Sequence, residues 1–283
     1  MAYLVAMNHA YLTLEEIHKE ELAILVAFAQ FCTKHELYYT LAGGTLLGAI
    51  RHKGFVPWDD DIDVNMPRPD YDQLLSLADT FQEETGFCLV EFGRDLNHPP
   101  LIKITNPTIQ VLYNDGKRNG TYHLWIDVIP IDGITGTQSE IECIYEQVYS
   151  LRNVFSISES RWAIGATPFR AAVRAIISPF VMLFGVDKYC ARQINHIAQK
   201  TPFETAERVA CITWGLYGAG EVMDKQSYLT PVEVEFCGNL FNGVSCWDEY
   251  LSGIYGDYMQ LPPKEKQVTH ELLAWRLSDV EKA

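Results

Sequence analysis

The chain reads as an α+β protein, with a mixed β-sheet core flanked by helices and an appended, mainly helical lobe. Two observations predict it. Strand-like runs alternate with helical patterns through the first half, and apolar spacings of three and four residues dominate from about Ser139 to Lys200. No internal repeat or low-complexity tract interrupts this organisation. It divides the chain into a core with its N-terminal helix at residues 1–136 and a helical lobe with a C-terminal segment at 137–283.

Leu14, Ile17, Ile24, Leu25, Phe28, Phe31 and Cys32 share one helical face between Leu14 and Lys34, with acids in the first turn and Lys34 and His35 at the end. Glu21 interrupts that stripe and leaves open how deeply the helix's first half is buried. Tyr38 to Leu41 has strand composition, Gly43-Gly44 breaks it, and Thr45 to Ile50 resumes as a short helix. After a Pro57-Trp58 turn, Asp59 to Met66 alternates as a strand, and Pro69 with Asp70 opens a helix to about Phe81. Cys88 to Phe92, Leu101 to Thr105, Thr108 to Asn114 and Leu124 to Ile129 follow as short strands, with turns at Asn106-Pro107 and Asp115-Gly116. Ser139-x-x-Glu142 has the form of a capping box opening a long helix, and Val232 to Phe236 is a later strand-like run.

Composition excludes several classes of function. Lys and Arg total 22 against 37 Asp and Glu, a formal charge of −15, which repels a polyanionic backbone, so no nucleic-acid partner is expected. Seven cysteines without a Cys-x-x-Cys pair read as reduced thiols. The first residues, MAYLVAMNHAYLTLEE, lack a basic region, so no secretory signal is expected and the location is read as cytoplasmic. The most apolar run, Ala171 to Val186, is too short to span a bilayer and carries Arg174 and Pro179. It reads as a core helix or, with Arg170 and Arg174, as a peripheral contact at the inner face of the cell membrane.

The chemistry concentrates in Trp58-Asp59-Asp60-Asp61-Ile62-Asp63-Val64. In an extended chain Asp59, Asp61 and Asp63 point one way while Asp60 and Ile62 point the other. Like charges on one face call for a cation, and carboxylate oxygens suit Mg²⁺ or Mn²⁺. Asp127, inside the apolar strand Leu124 to Ile129, also needs a partner, either as a third arm of this metal site or paired with a buried Arg or backbone amides. Gly43-Gly44-Thr45 is either an ordinary turn or a cradle whose N–H groups approach a phosphate at a helix N-terminus. Arg51, His52, Lys53 and Lys103 are candidate phosphate clamps or solvated basic residues.

The run from Leu41 to Val64, LAGGTLLGAIRHKGFVPWDDDIDV, closely resembles the signature of LicD-family phosphotransferases, which include bacterial phosphocholine transferases and are similar to fukutin-related proteins. Trp125 to Asp132, Tyr255 to Met259, Pro262-Pro263 and His270 extend the likeness. The resemblance implies a nucleotidyltransferase-like core. It also implies transfer of a phosphorylated alcohol, typically phosphocholine from CDP-choline, to a sugar hydroxyl of a teichoic-acid, capsule or other surface-glycan precursor, free or lipid-linked, with CMP leaving. Asp59, Asp61, Asp63 and Asp127 match the family's metal-site acids, and Asn65 stands where a small residue is expected.

Asp127 and Asp59 are candidates for taking the proton of the acceptor hydroxyl. A choline-bearing donor needs aromatic faces, for which Trp58, Trp125, Trp162, Trp214 and Tyr217 are candidates, each equally at home in a core. Three other readings stay open: transfer from CDP-ribitol or CDP-glycerol, nucleotidyl transfer with release of pyrophosphate, and a non-catalytic nucleotide- or glycan-binding module.

Overall fold

A computed structural model describes residues 10–91, 100–113, 121–159, 185–267, 269 and 272–277. Helix α1 (Leu14–Lys34) has the expected bounds. Thr13 caps it, its hydroxyl accepting from the Glu16 N–H while the Glu16 carboxylate accepts from the Thr13 N–H. Ile17, Ile24, Leu25, Phe28 and Phe31 are buried, but so is Glu21, only 1% exposed. The acid sits inside the stripe, and the helix's first half is not shallow.

The sheet is mixed. Its strands are β1 (Thr40–Leu41), β2 (Asp63–Pro67), β3 (Cys88–Glu91), β4 (Ile102–Tyr113), β5 (Tyr122–Ile134), β6 (Arg208–Ala210), β7 (Met223–Asp224) and, after a separate hairpin of β8 (Pro231–Phe236) and β9 (Asn239–Val244), β10 (Leu272–Arg276). The spatial order is β1-β2-β5-β4-β10, with β3 on β4, β6 on β5 and β7 on β6. Only β2 and β5 pair in parallel among the described strands. Helices α2 (Gly43–His52), α3 (Arg68–Ser76) and α4 (Ala78–Thr85) fill the first half, while α5 (Gln138–Glu159), α6 (Val186–Ala198), α7 (Lys225–Leu229) and α8 (Trp247–Tyr255) follow the long strands. One large core joins α1, α2 and the sheet. Ile141, Tyr145, Val148, Ile194 and Ala198 of α5 and α6 build a smaller one with Ile134, Ala210 and Ile212. Residues beyond 136 thus supply β6, β7 and β10 to the same sheet.

Several boundaries differ from the sequence reading. The acidic strand starts at Asp63, and residues 59–62 precede it outside any strand. The two runs around Asn106-Pro107 form one strand, β4, because a register shift against β5 between Asn106 and Gln110 absorbs the proline, which has no N–H to donate. The helix from Pro69 breaks at Leu77 into α3 and α4. The capping box of α5 is Thr137 with Glu140, whose carboxylate accepts from the Thr137 N–H at 2.7 Å, two residues earlier than the Ser139 pattern suggests. Arg170, Arg174, residues 171–184, Trp162 and His270 lie outside the described residues. Among the described residues no helix is long and apolar enough to cross a membrane.

A buried ion pair ties β2 and α3 to β5. Arg68 donates from Nε and Nη2 to both carboxylate oxygens of Asp132, at 2.7 and 2.8 Å, and from Nη2 to Thr213 Oγ1 at 3.3 Å. Both partners are buried, so removing one leaves a stranded charge. Asp132→Ala is expected to lower stability in urea unfolding by about 3–5 kcal/mol, whereas Arg68→Met with Asp132→Leu loses much less.

Candidate active site

The site is built where β2 and β5 run side by side. Their parallel register sets Asp63 directly across from Asp127, and on the other side of β5 Lys103 of β4 faces Asp127. Strand alternation carries Trp125, Asp127 and Ile129 to one face of β5. All three line a cavity of about 360 Å³ together with Gly43, Asp61, Asp63 and Lys103. The alternation read for the acids also holds before the strand begins. Asp60 and Ile62 are buried, while Asp59, Asp61 and Asp63 are each partly accessible.

The carboxylate of Asp127 and the backbones of Asp63 and Asp59 have identifiable supports. Lys103 Nζ donates to Asp127 Oδ1 at 2.6 Å and lies 4.1 Å from the centre of the Trp125 ring, whose Nε1–H donates to Asp127 Oδ2 at 3.1 Å. Lys103 is thus held on Asp127 at the cavity wall, so the buried cation beside Asp127 is a lysine and not the arginine that the sequence left open. The Asp63 N–H donates to Thr45 Oγ1 at 2.9 Å, which fixes the start of β2 against the first turn of α2. His18 of α1 reaches the Asp59 carbonyl with Nε2 at 2.7 Å and stacks on Phe55 at 3.7 Å, anchoring the acidic segment from behind.

The glycine turn opens α2 at this point. Gly43 has φ +48°, and a Cβ there would come 3.5 Å from Asp63 Oδ2. At Gly44 a Cβ would lie 2.4 Å from Asp59 Oδ2, a clash that only displacement of the carboxylate relieves. The two glycines therefore admit carboxylates to the positive end of a helix, the same environment that suits a phosphate. Arg51 and Lys53 stand at the opposite end of α2. Arg51 donates to the Tyr258 carbonyl at 2.5 Å, and Lys53 is an exposed left-handed C-cap, so neither lines the cavity.

The cavity extends to two unlike ends along β5. Towards the start of the strand lie Tyr113, Tyr122 and Trp125, with ring centres 5.7 to 6.3 Å apart, and Leu272 of β10. Towards its C-terminal part lie Arg152 of α5, Trp214, Tyr217, Glu221 and Tyr250. Arg152 stacks over Trp214 at 4.2 Å and donates to the Gly215 carbonyl at 2.6 Å. Glu221 accepts from the Tyr217 N–H at 2.7 Å and so ties the loop that carries these aromatics. Trp125, Trp214 and Tyr217 thus meet in one cavity, whereas Trp58 packs against the core. Arg152, Glu221 and Tyr250 were not singled out by sequence, since they come from distant segments without a local motif.

Electrostatics single out Asp63. Burial first, and then Asp61, Asp127 and Asp59, push the Asp63 carboxyl well above its ordinary range, against which Lys103 acts in the lowering direction. Burial, with Asp61 the leading neighbour, raises Glu21 in the same way. Among the described residues no three His, Cys, Asp or Glu side chains form a ready-made metal group. The donor chemistry nonetheless fits a hard divalent cation, because Asp61, Asp63 and Asp127 bring only carboxylate oxygens to the cavity.

Burial raises Glu221 from 4.5 to about 7. Because the folded value is the higher one, stability present below pH 4.5 is lost as pH rises through 7. In thermal unfolding followed from pH 4.5 to 8, Glu221→Gln is expected to gain on the wild type by on the order of 2 kcal/mol.

Residues 36–148, which include the glycine turn, the acids, Lys103 and Asp127, match the family model described as the LicD/FKTN/FKRP nucleotidyltransferase domain. The chain is 29% identical to the lipopolysaccharide cholinephosphotransferase LicD of Haemophilus influenzae over 270 residues, covering 92% of this chain and 97% of that protein. It is also 31% identical to an uncharacterized protein of Rickettsia prowazekii, over 34% of this chain and 40% of the other. A Caenorhabditis elegans protein, likewise uncharacterized, is 30% identical over 38% of this chain and 30% of its own length. Residues 36–148 thus match a LicD/FKTN/FKRP nucleotidyltransferase domain, and the chain is similar over nearly its whole length to a LicD cholinephosphotransferase.

Proposed function

We propose that this enzyme transfers phosphocholine from CDP-choline to a sugar hydroxyl of a surface-glycan precursor, such as lipopolysaccharide, capsule or teichoic acid, and releases CMP. The observation that carries the reading is the opposition of Asp63 and Asp127 across β2 and β5, at a cavity with aromatic walls at both ends. The name of the Haemophilus relative supports phosphocholine as the transferred group and lipopolysaccharide as the kind of acceptor.

Asp61, Asp63 and Asp127, with Asp59 beside them, are the residues that would hold Mg²⁺ or Mn²⁺. Such a cation supplies charge neutralisation for a diphosphate and its leaving group. Lys103 adds a fixed positive charge at the same wall and offsets negative charge developing on the departing CMP. The first-turn N–H groups of α2 favour an anion at the same spot. Asp127 or Asp59 takes the proton of the acceptor hydroxyl as the oxygen attacks phosphorus and the bond to CMP breaks. Trimethylammonium has no N–H to donate, so it gains from ring faces rather than from hydrogen-bond acceptors, and both ends of the cavity offer them.

Calorimetric titration with CDP-choline, CDP-ribitol, CDP-glycerol and CTP, each with and without Mg²⁺, tests this reading. CDP-choline is expected to bind selectively and only with the cation, and Asp61→Asn/Asp63→Asn is expected to lose that binding and more than about a hundredfold in turnover. Preference for another CDP-alcohol would retain the mechanism and change the substrate. Preference for CTP with release of pyrophosphate would overturn phosphocholine transfer. An Asp127→Asn enzyme that keeps full, pH-dependent turnover would remove Asp127 as the base, and the same result for Asp59→Asn would remove Asp59.

A further inference from the structure

Glu21 is a carboxylate in a position built for a hydrocarbon. It follows Ile17 by one helical turn and precedes Leu25 by another, on the face of α1 that packs into the core. Its exposure is 1%, and its Oε2 has no hydrogen-bond partner. A buried carboxylate without a partner is costly, and a leucine in its place would pack without that cost.

Its neighbours sharpen the anomaly. The charged groups that act on Glu21 are, in falling order, Asp61, Asp60, Asp59 and Asp127, all of them acids. Three belong to the segment before β2, and the fourth faces Asp63 across the sheet. His18, three residues earlier on α1, holds the same segment through the Asp59 carbonyl at 2.7 Å. Helix α1 therefore approaches the acidic segment twice, with His18 hydrogen-bonded to its backbone and Glu21 buried one turn further on, within electrostatic reach of its carboxylates. A proton on Glu21 would remove the charge but would add a buried O–H that itself needs an acceptor. A divalent cation among these acids offsets the charge of all of them at once.

We propose that Glu21 is part of the cation-binding cluster, an inner carboxylate behind Asp59, Asp61, Asp63 and Asp127 that strengthens the hold on a divalent metal. The inference rests on the reading that those acids bind such a cation. It assigns Glu21 as a positioning residue, without contact to substrate.

The test uses Mn²⁺ as probe. Free Mn²⁺ is measured by electron paramagnetic resonance during titration of the wild type, Glu21→Gln, Glu21→Leu and Asp61→Asn/Asp63→Asn, and each protein is melted with and without Mg²⁺. Both Glu21 variants are expected to weaken Mn²⁺ binding by about tenfold or more, as loss of supporting groups around a metal does. Without metal they should melt no lower than the wild type, and Mg²⁺ should raise their melting temperature less. Mn²⁺ affinity unchanged in both Glu21 variants, while the double aspartate variant loses it, would overturn the role of Glu21 alone. A wild type that binds no Mn²⁺, or a double aspartate variant that binds it normally, would overturn the metal reading and the Glu21 proposal together. Glu21→Leu guards against a polar replacement that fails to fold, since it completes the apolar stripe.

Discussion

The repulsion between carboxylates on adjacent parallel strands is the constraint around which this site is organised. Neighbouring strands lie ~4.8 Å apart. At that separation two unit charges repel by roughly 3 kcal/mol in an effective dielectric of about 20. The β2–β5 register imposes this juxtaposition on Asp63 and Asp127, and Asp61 and Asp59 add to it. The surroundings then distribute compensation. Lys103 arrives from the other neighbour of β5, Trp125 contributes its indole N–H, and the amino end of α2 supplies a positive dipole. These supports offset part of the charge, and the divalent cation proposed for this site would offset more of it.

The glycines show how backbone geometry serves that balance. Gly44 leaves room for the Asp59 carboxylate where any side chain would collide, and the positive φ of Gly43 turns the chain from β1 into α2. A helix amino terminus does not distinguish a carboxylate from a phosphate, since both are anions meeting unpaired N–H groups. The same turn can therefore position the acids and favour a diphosphate beside them. Arg51 and Lys53 stay off the cavity lining because a ten-residue helix is roughly 15 Å long and they ride towards its far end.

Much of this was legible in sequence because the relevant spacings are local. The bounds of α1 follow from its apolar stripe and end charges, and alternation assigned Asp59, Asp61 and Asp63 to one side even though β2 starts only at Asp63. Where local signals misled, a tertiary partner had the deciding influence. Asn106-Pro107 looks like a turn, yet β3, β5 and β10 pair along β4 on both sides of it and reduce it to a bulge. Glu21 was visible as an acid in an apolar stripe, but the field it feels from Asp59 to Asp61 comes from a segment some forty residues away. Arg152 and Glu221 carried no signal, because each acquires meaning only from the loop between β6 and β7 that they brace.

The division of labour between segments bears on specificity. The acids, Lys103, Trp125 and the Tyr113–Tyr122 corner all fall within residues 36–148, the stretch that matches the nucleotidyltransferase domain. Arg152, Trp214, Tyr217, Glu221 and Tyr250 fall beyond it and close the other end of the cavity. Strand β5 runs between the two, with the Asp127 Cα about 7 Å from those of Trp125 and Ile129 at ~3.3 Å per residue. The donor proposed above, with two unlike ends joined by a diphosphate, matches that layout, one end on either side of the acids. The chemistry common to the domain can then stay fixed while residues outside it reshape one end of the cavity. Specificity for the base or the alcohol is therefore expected to vary with the loop after β6 and with α8 more than with the acids themselves.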